Sequence, residues 1–326
     1  MNTVMLFDTS VASLNIGDQI IMDATQKQLR KLFPDDYFLT TSTHDIIGKQ
    51  TFMINEMADF SFLGGSNILN DKFSFRNKNQ WRLSIFSSKK INDVISIGCG
   101  WSNYDVSPFI KKVLQKQIYN HCFSQSYLHS VRDSFTEKKF SEFGFPCINT
   151  SCVTLWDFTK EFCSTIRKEK ADKVVATITY YKNSSKDYNR YNQLFSILNK
   201  MYEHVYFFAQ DGVLDLDLFN NLEFEGKENV EIVTPSLEGY DLLLKSDAVD
   251  FVGTRLHGGI RAMQHKQRAI IIEIDNRAKE ISKDVNLCTV SWDELEKVEK
   301  LISSRFKNDI QIPFDKVNQW KDQFKS

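Results

Sequence analysis

Apolar positions in this chain fall into short runs that end in Gly-rich or polar turns, and most turns open a longer stretch with helical spacing. Thr3 to Phe7 reads as a first strand. Asp18 to Phe33 follows as a helix, with Ile20, Ile21, Ala24 and Leu32 on one face and Pro34 as its stop. Tyr37 to Thr41 is the next expected strand. Ala58 to Leu63 then runs into Gly64-Gly65-Ser66-Asn67, and Val94 to Ile97 into Gly98-Cys99-Gly100-Trp101. A helix from Ser107 to Asn120, a strand from Tyr127 to Val131 and a helix from Arg132-Asp133 through Phe143 complete the first series. Such alternation predicts a parallel sheet with helices on both faces.

The rhythm breaks between Pro146 and Asp157, which places a domain boundary there, with residues 1–150 in one domain and 151–326 in the other. A second series starts with strands at Lys173 to Ile178, Val205 to Ala209 and Val230 to Val233, and a helix from Ser236 to Lys245. The run Ala248 to Val252 then enters Gly253-Thr254-Arg255-Leu256-His257-Gly258-Gly259-Ile260, and Ala269 to Ile274 is the last strand. Helices near Trp292 to Ser303 and Pro313 to Phe324 close the second domain. At 326 residues the chain is long for one core, so the expectation is α/β, with two doubly wound domains. Two such domains facing a central cleft would gather turns that lie far apart in sequence.

Composition narrows the classes. With 42% apolar and 25% charged residues the chain is that of a folded globular protein. A formal charge of −1 argues against generalised nucleic-acid binding. Val4 to Phe7 is too short for a signal-peptide core and Asp8 follows at once. No apolar stretch approaches the roughly 18 residues of a membrane span, and no amphipathic anchor stands out. The six cysteines lack C-x-x-C spacing and histidine companions, which fits reduced thiols of a cytoplasmic protein and no metal site.

Candidate chemistry gathers where strands hand over to helices, the place where open α/β sheets bind ligands. Arg255 and His257 share one Gly-rich turn that includes Gly258. An arginine fork and a helix N-terminus both suit an anion, and an imidazole can exchange protons near neutral pH. The competing reading pairs Arg255 with a buried acid and leaves His257 as a cap. Asn15-Ile16-Gly17-Asp18 supplies polar groups at the first turn, where Asn15 and Asp18 either bind hydroxyls or cap the helix. Gly65, Ser66 and Asn67 allow a ligand close to backbone, although a tight turn explains them equally. Arg132 beside Asp133 marks another strand end. Asp275-Asn276-Arg277 adds a charged loop at the second sheet. No nucleophile elbow, H-E-x-x-H or Walker loop is present.

Taken in order, Asn15-Ile16-Gly17-Asp18, Gly64-Gly65-Ser66-Asn67, Ser130-Val131-Arg132-Asp133 and Gly253-Thr254-Arg255-Leu256-His257-Gly258 resemble the polysaccharide pyruvyl transferase family. The resemblance runs from about residue 5 to residue 285, with R-L-H-G its most specific piece. It implies two Rossmann-like domains in a GT-B-like fold. It also implies transfer of pyruvate from phosphoenolpyruvate to two hydroxyls of a sugar as a cyclic ketal, with phosphate released and no cofactor. Arg132, Arg255 and His257 would then form the phosphoenolpyruvate site, with His257 as general acid/base and Asp18 or Asp133 as base toward a sugar hydroxyl. The implied partners are phosphoenolpyruvate and a sugar acceptor (a sugar nucleotide, a lipid-linked sugar or a polymer), with scope for a homo-oligomer and for work at the inner membrane face. Ser151-Cys152-Val153-Thr154 departs from the Asp-Pro or Cys-Pro of some relatives and leaves acceptor choice open. The rival expectations are a sugar-nucleotide glycosyltransferase of the same architecture, for which the E-x7-E pattern is one residue short at Glu273 and Glu280, and a non-catalytic carbohydrate- or anion-binding protein of a surface-polymer pathway.

Overall fold

The computed structural model describes residues 1–74, 79–105 and 107–325, apart from the side chain of Asn276. The chain divides into two compact units. The first comprises Met1–Ser13, Ile21–Trp156 and Ile312–Ser326, and the second Leu14–Ile20 and Asp157–Gln311.

The first unit is built on β1 (Thr3–Asp8), β2 (Tyr37–Ser42), β3 (Phe60–Leu69), β4 (Val94–Trp101), β5 (His129–Val131) and β6 (Cys147–Asn149). These strands form one sheet in the order β2-β1-β3-β4-β5-β6, with every pairing parallel. The helices between them are α1 (Ile16–Leu32), α2 (Lys49–Met57), α3 (Ile85–Ser88), α4 (Phe109–Cys122) and α5 (Ser134–Glu142). The order reverses between β1 and β3, which makes the ends of those strands the switch point of this sheet.

The second unit follows the same logic with a different order. After α6 (Lys160–Thr165) come β7 (Lys173–Thr177), α7 (Ser185–Met201), β8 (His204–Phe208), α8 (Val213–Asn220), β9 (Glu231–Val233) and α9 (Leu237–Ser246). Then follow β10 (Val249–Gly253), α10 (Leu256–Gln264), β11 (Ala269–Glu273), α11 (Asn276–Val285), β12 (Thr289–Ser291) and α12 (Glu296–Ser303). The sheet runs β12-β11-β10-β7-β8-β9, all parallel, so it reverses between β7 and β10. Helix α7 shows why these segments fold as they do. Ser184 and Asp187 close a capping box at its start, and Tyr191, Leu194, Phe195 and Leu198 recur at helical spacing on its buried face. Burying a side chain of that size is worth about 1.5–3 kcal/mol, well above the intrinsic propensity of the residues.

Several expectations need correction. Gly64-Gly65-Ser66-Asn67 and Gly98-Cys99-Gly100-Trp101 are not turns but the carboxyl halves of β3 and β4. Both strands are buried, and at Gly64 a Cβ would collide with the Met22 side chain of α1, so glycine there admits a close helix instead of bending the chain. The stretch taken as a boundary contains the sixth strand, β6. The first unit continues through Trp156 instead of ending at residue 150, and takes back the last helix, α13 (Phe314–Asp322). Aromatic contacts explain this: Trp320 lies 6.0 Å from Phe62 and 5.7 Å from Trp156, and Phe324 lies 5.6 Å from Phe60. The six cysteines are free thiols. Among the described residues no helix is long and apolar enough to cross a membrane.

His129 gives the first unit a pH limit. It is fully buried in β5, with Nδ1 accepting the Ser96 N–H at 3.1 Å and Nε2 donating to the Ser124 carbonyl at 2.8 Å. Burial pushes its pKa down to about 4 from the ordinary 6.5. The unfolded chain therefore takes a proton near 6.5 that the folded chain refuses until about 4, so stability is full above that window and falls as pH drops through it. The expected loss is about 3 kcal/mol between neutral pH and pH 4. Urea unfolding across this range should show the loss in the wild type and a smaller one in His129→Gln; equal slopes would remove His129 as the cause.

Candidate active site

The carboxyl edge of the first sheet carries Asn67, Arg132 and Asp133. Asp133 caps α5, its Oδ1 accepting the Thr136 N–H and hydroxyl, each at 2.7 Å. Its Oδ2 takes the Arg132 Nε at 3.1 Å, and Arg132 Nη2 bonds the Asn67 Oδ1. Arg132 is only 1% exposed. Gly100 makes room for it, because a Cβ there would run into the guanidinium. The structure thus brings Arg132 and Asn67 together and commits the arginine to neighbouring protein groups. Ser66 is buried with φ of 98°, a left-handed conformation that non-glycine residues seldom adopt. Its Oγ bonds the Gln80 Oε1 at 3.4 Å. Gly65 offers its carbonyl to Thr9 Oγ1 at 3.4 Å. Backbone at this edge is packed inside the strand instead of being looped toward solvent.

At the second sheet, the ends of β7, β8, β10 and β11 lie on both sides of the order reversal. Arg255 is the N-cap residue of α10, and His257 and Gly258 stand in its first turn. The helix starts earlier than its glycines suggest. Arg255 is 5% exposed and His257 7%. The Arg255 Nε donates to the Ile178 carbonyl at 2.9 Å, and its Nη2 lies 2.5 Å from both Asp211 Oδ2 and Asp215 Oδ1. Burial works against the Arg255 charge, but Asp215 and Asp211 overcome it and raise the arginine pKa. Burial raises the Asp215 carboxyl, with Arg255 opposing the shift. Tyr180 and Tyr181 flank the guanidinium, each ring centroid 5.9 Å away.

Arg255 therefore does pair with buried acids, as the competing sequence reading had it, and with two instead of one. A single guanidinium between two carboxylates offers little net positive charge to a ligand. The groups at this edge suited to an anion are the first-turn N–H groups of α10, which the helix cannot satisfy internally, and Arg277, which is more exposed than Arg255 but is itself paired with Asp275. Arg277, 29% exposed at its side chain, donates Nε to Asp275 Oδ2 at 2.9 Å and Nη2 to the Tyr181 hydroxyl at 2.6 Å. Burial opposes its charge, and Asp275, Tyr181 and Asp18 together raise its pKa. Burial alone would lift the Asp275 carboxyl, yet Arg277 and Tyr181 hold it down at about 2. The segment expected as a charged loop is the start of α11, with Asp275 as its cap.

The first-turn residues Asn15, Gly17 and Asp18 belong to this second unit. Asn15 Oδ1 accepts the Gly17 N–H at 2.8 Å and the Gln210 Nε2 at 3.0 Å, and the Ile16 N–H donates to the Gln210 carbonyl at 2.9 Å. Asp18 is 4% exposed. Asn15, Asp18, Arg255, His257 and Gly258 are thus brought into one unit, whereas Gly65, Ser66, Asn67 and Arg132 belong to the other. Gln210, Asp211 and Asp215 were missed by the sequence reading. The available signal was Gln210-Asp211-Gly212 directly after the expected strand ending at Ala209. Among the described residues no group of His, Cys, Asp and Glu is arranged to hold a metal ion.

Comparison with solved structures places the fold. The UDP-GlcNAc 2-epimerase of Methanocaldococcus jannaschii, solved with UDP-GlcNAc and UDP, is similar at a TM-score of 0.53 and 12% identity, covering 96% of this chain and 95% of its own. The UDP-GlcNAc 2-epimerase of Neisseria meningitidis, bound to UDP-GlcNAc, is similar at 0.50 and 10% identity over 100% of both chains. These likenesses establish a GT-B-type α/β fold of two Rossmann-like units. A search of curated proteins found no match. The sequence profile described as polysaccharide pyruvyl transferase matches residues 15–276, which spans the turns described at both sheets. The chain belongs to the polysaccharide pyruvyl transferase family.

Proposed function

We propose that the protein is a ketal-forming pyruvyl transferase, which takes phosphoenolpyruvate as donor and a sugar of a surface polysaccharide or its precursor as acceptor. Family membership supports the reaction class. The observation that carries the proposal is the β10–α10 turn, which sets His257 in the first turn of a helix beside Arg255, at the order reversal of the second sheet.

In this reading the phosphate or carboxylate of phosphoenolpyruvate meets the α10 N-terminus, with Arg277 as the more exposed cation. Arg255, held by Asp211 and Asp215, fixes the turn. One sugar hydroxyl attacks the central carbon of phosphoenolpyruvate while a proton reaches the methylene carbon, which becomes the ketal methyl. The carbon–oxygen bond to phosphate breaks, phosphate departs, and a second sugar hydroxyl closes the ring and gives up its proton. His257 supplies and receives these protons, and Asp18 assists the sugar hydroxyl. Arg132 orders Asn67 and Asp133 on the other unit.

The test is phosphate release from phosphoenolpyruvate in the presence of sugar nucleotides and lipid-linked sugars, with the product examined for a pyruvate ketal. Acceptor-dependent phosphate release is the expected result. Nucleotide release without consumption of phosphoenolpyruvate would make the protein a sugar-nucleotide glycosyltransferase. Binding of phosphoenolpyruvate with no turnover on any acceptor would make it a binding protein.

A further inference from the structure

Solvent meets apolar side chains on α3 and α4 of the first unit. Phe86 is 82% exposed, Phe109 80%, Ile110 72% and Val113 49%. Helix α4 buries its opposite face through Gln115, Ile118, Tyr119 and Cys122, so the outward positions of its first turns are apolar where a solvated helix would be polar. Helix α3 packs against the carboxyl end of α4, where His121 Nδ1 lies 3.2 Å from Ser88 Oγ and Cys122 Sγ donates to the Ser88 carbonyl at 3.5 Å, while Phe109, Ile110 and Val113 occupy the opposite end of α4.

Within the two segments themselves every formal charge has one sign. Lys89 and Lys90 follow α3, and Lys111, Lys112 and Lys116 lie on α4, while residues 85–92 and 109–122 contain no acid. The neighbouring acids in sequence, Asp93 and Asp105, fall outside both stretches, and Asp105 is paired with Lys72 at 3.5 Å. Five lysines without an acid are a marked local excess in a chain of net charge −1.

We propose that this α3–α4 face docks on a bilayer surface rich in anionic lipid. Exposed Phe, Ile and Val beside lysines are the composition of an interfacial helix, whose apolar residues enter the headgroup boundary while its cations meet lipid phosphates. A second copy of the chain fits poorly, because a two-fold contact would set the same lysines against one another. The sequence alone did not show an anchor, since the exposed Phe109, Ile110 and Val113 and the buried Ile118 and Tyr119 lie on different faces of α4 and blur its periodicity.

Flotation of the full chain with vesicles tests the assignment. The protein is expected to float with phosphatidylcholine vesicles containing about a third phosphatidylglycerol, and far less with phosphatidylcholine alone, with salt weakening the association. Lys89→Gln and Lys111→Gln should each lower partitioning about fivefold. Phe109→Ser combined with Ile110→Ser should abolish it at an unchanged unfolding midpoint, since both side chains are exposed. Equal flotation with neutral and anionic vesicles, retention by the Phe109/Ile110 variant, or a dimer that the same variant dissociates would each overturn the proposal.

Discussion

Asp250→Ala is expected to destabilise the second unit by about 3–5 kcal/mol, the usual cost of stranding a buried charge. Asp250 lies inside β10 at 1% exposure and faces Arg268 at 0%. Its Oδ2 takes the Arg268 Nη2 at 2.5 Å, the Arg268 Nε at 3.1 Å and the Tyr202 hydroxyl at 2.7 Å. Its Oδ1 accepts the Ala171 N–H at 3.3 Å and lies 3.2 Å from Arg167 Nη2. Arg268 also donates to the carbonyls of Ser304 and Ile302, at 2.9 and 3.1 Å, so it cannot swing to solvent without releasing the end of α12. Removing the carboxylate leaves the guanidinium buried with neutral acceptors only. That loss exceeds anything gained by deleting one polar side chain. Replacing both partners with apolar residues, as in Asp250→Leu with Arg268→Met, should cost less than Asp250→Ala alone. Urea unfolding of the single and double variants decides it: a cost below about 1 kcal/mol for Asp250→Ala would show that water reaches Arg268. The strand concerned carries the Arg255–His257 turn, so activity measurements on these variants need a stability control.

This pair also marks what the sequence concealed. The alternation of apolar runs and helical stretches exposed most strands of both sheets, because a parallel strand covered on both faces must be apolar throughout. Asp250 interrupts such a run without weakening it, because Arg268 compensates. Glycine misled for a related reason. In β3 and β4 it serves close packing against α1 and Arg132, yet the residue types are those of turns. Helix α13 was legible as a helix but not as part of the first unit, because only tertiary contacts of Trp320 and Phe324 assign it. At the site, strand ends and helix starts pointed to Arg255 and His257. The acids that hold Arg255 lie some forty residues upstream on α8 and its approach, where no local pattern links them to the turn. Arg132 shows the limit in reverse: its position at a strand end was legible, but its burial was not.

His257→Ala is expected to lower kcat for pyruvyl transfer by about 100- to 10,000-fold, the usual range for a positioned acid/base group. The argument is chemical. In the proposed reaction, protonation of the methylene carbon and attack by the sugar oxygen proceed together, and an enol phosphate is a weak carbon base. Water can replace the histidine only from a less organised position. His257 belongs to the rigid first turn of α10, 7% exposed, while Arg255 two residues earlier is fixed by two carboxylates. The backbone that carries the imidazole is therefore fixed before substrate arrives, and such positioning is what makes an acid/base group effective. Loss of the side chain should leave the α10 N-terminus, Arg277 and the fold in place, so binding of phosphoenolpyruvate should fall far less than kcat. The variant should also lose the arm of the pH–rate profile that the histidine sets. Phosphate release under saturating substrate, beside direct measurement of phosphoenolpyruvate binding, separates the cases. Unchanged kcat would remove His257 from the proton transfers. Equal losses in binding and kcat, with an unaltered pH profile, would make it a residue that grips the donor anion instead of one that moves a proton.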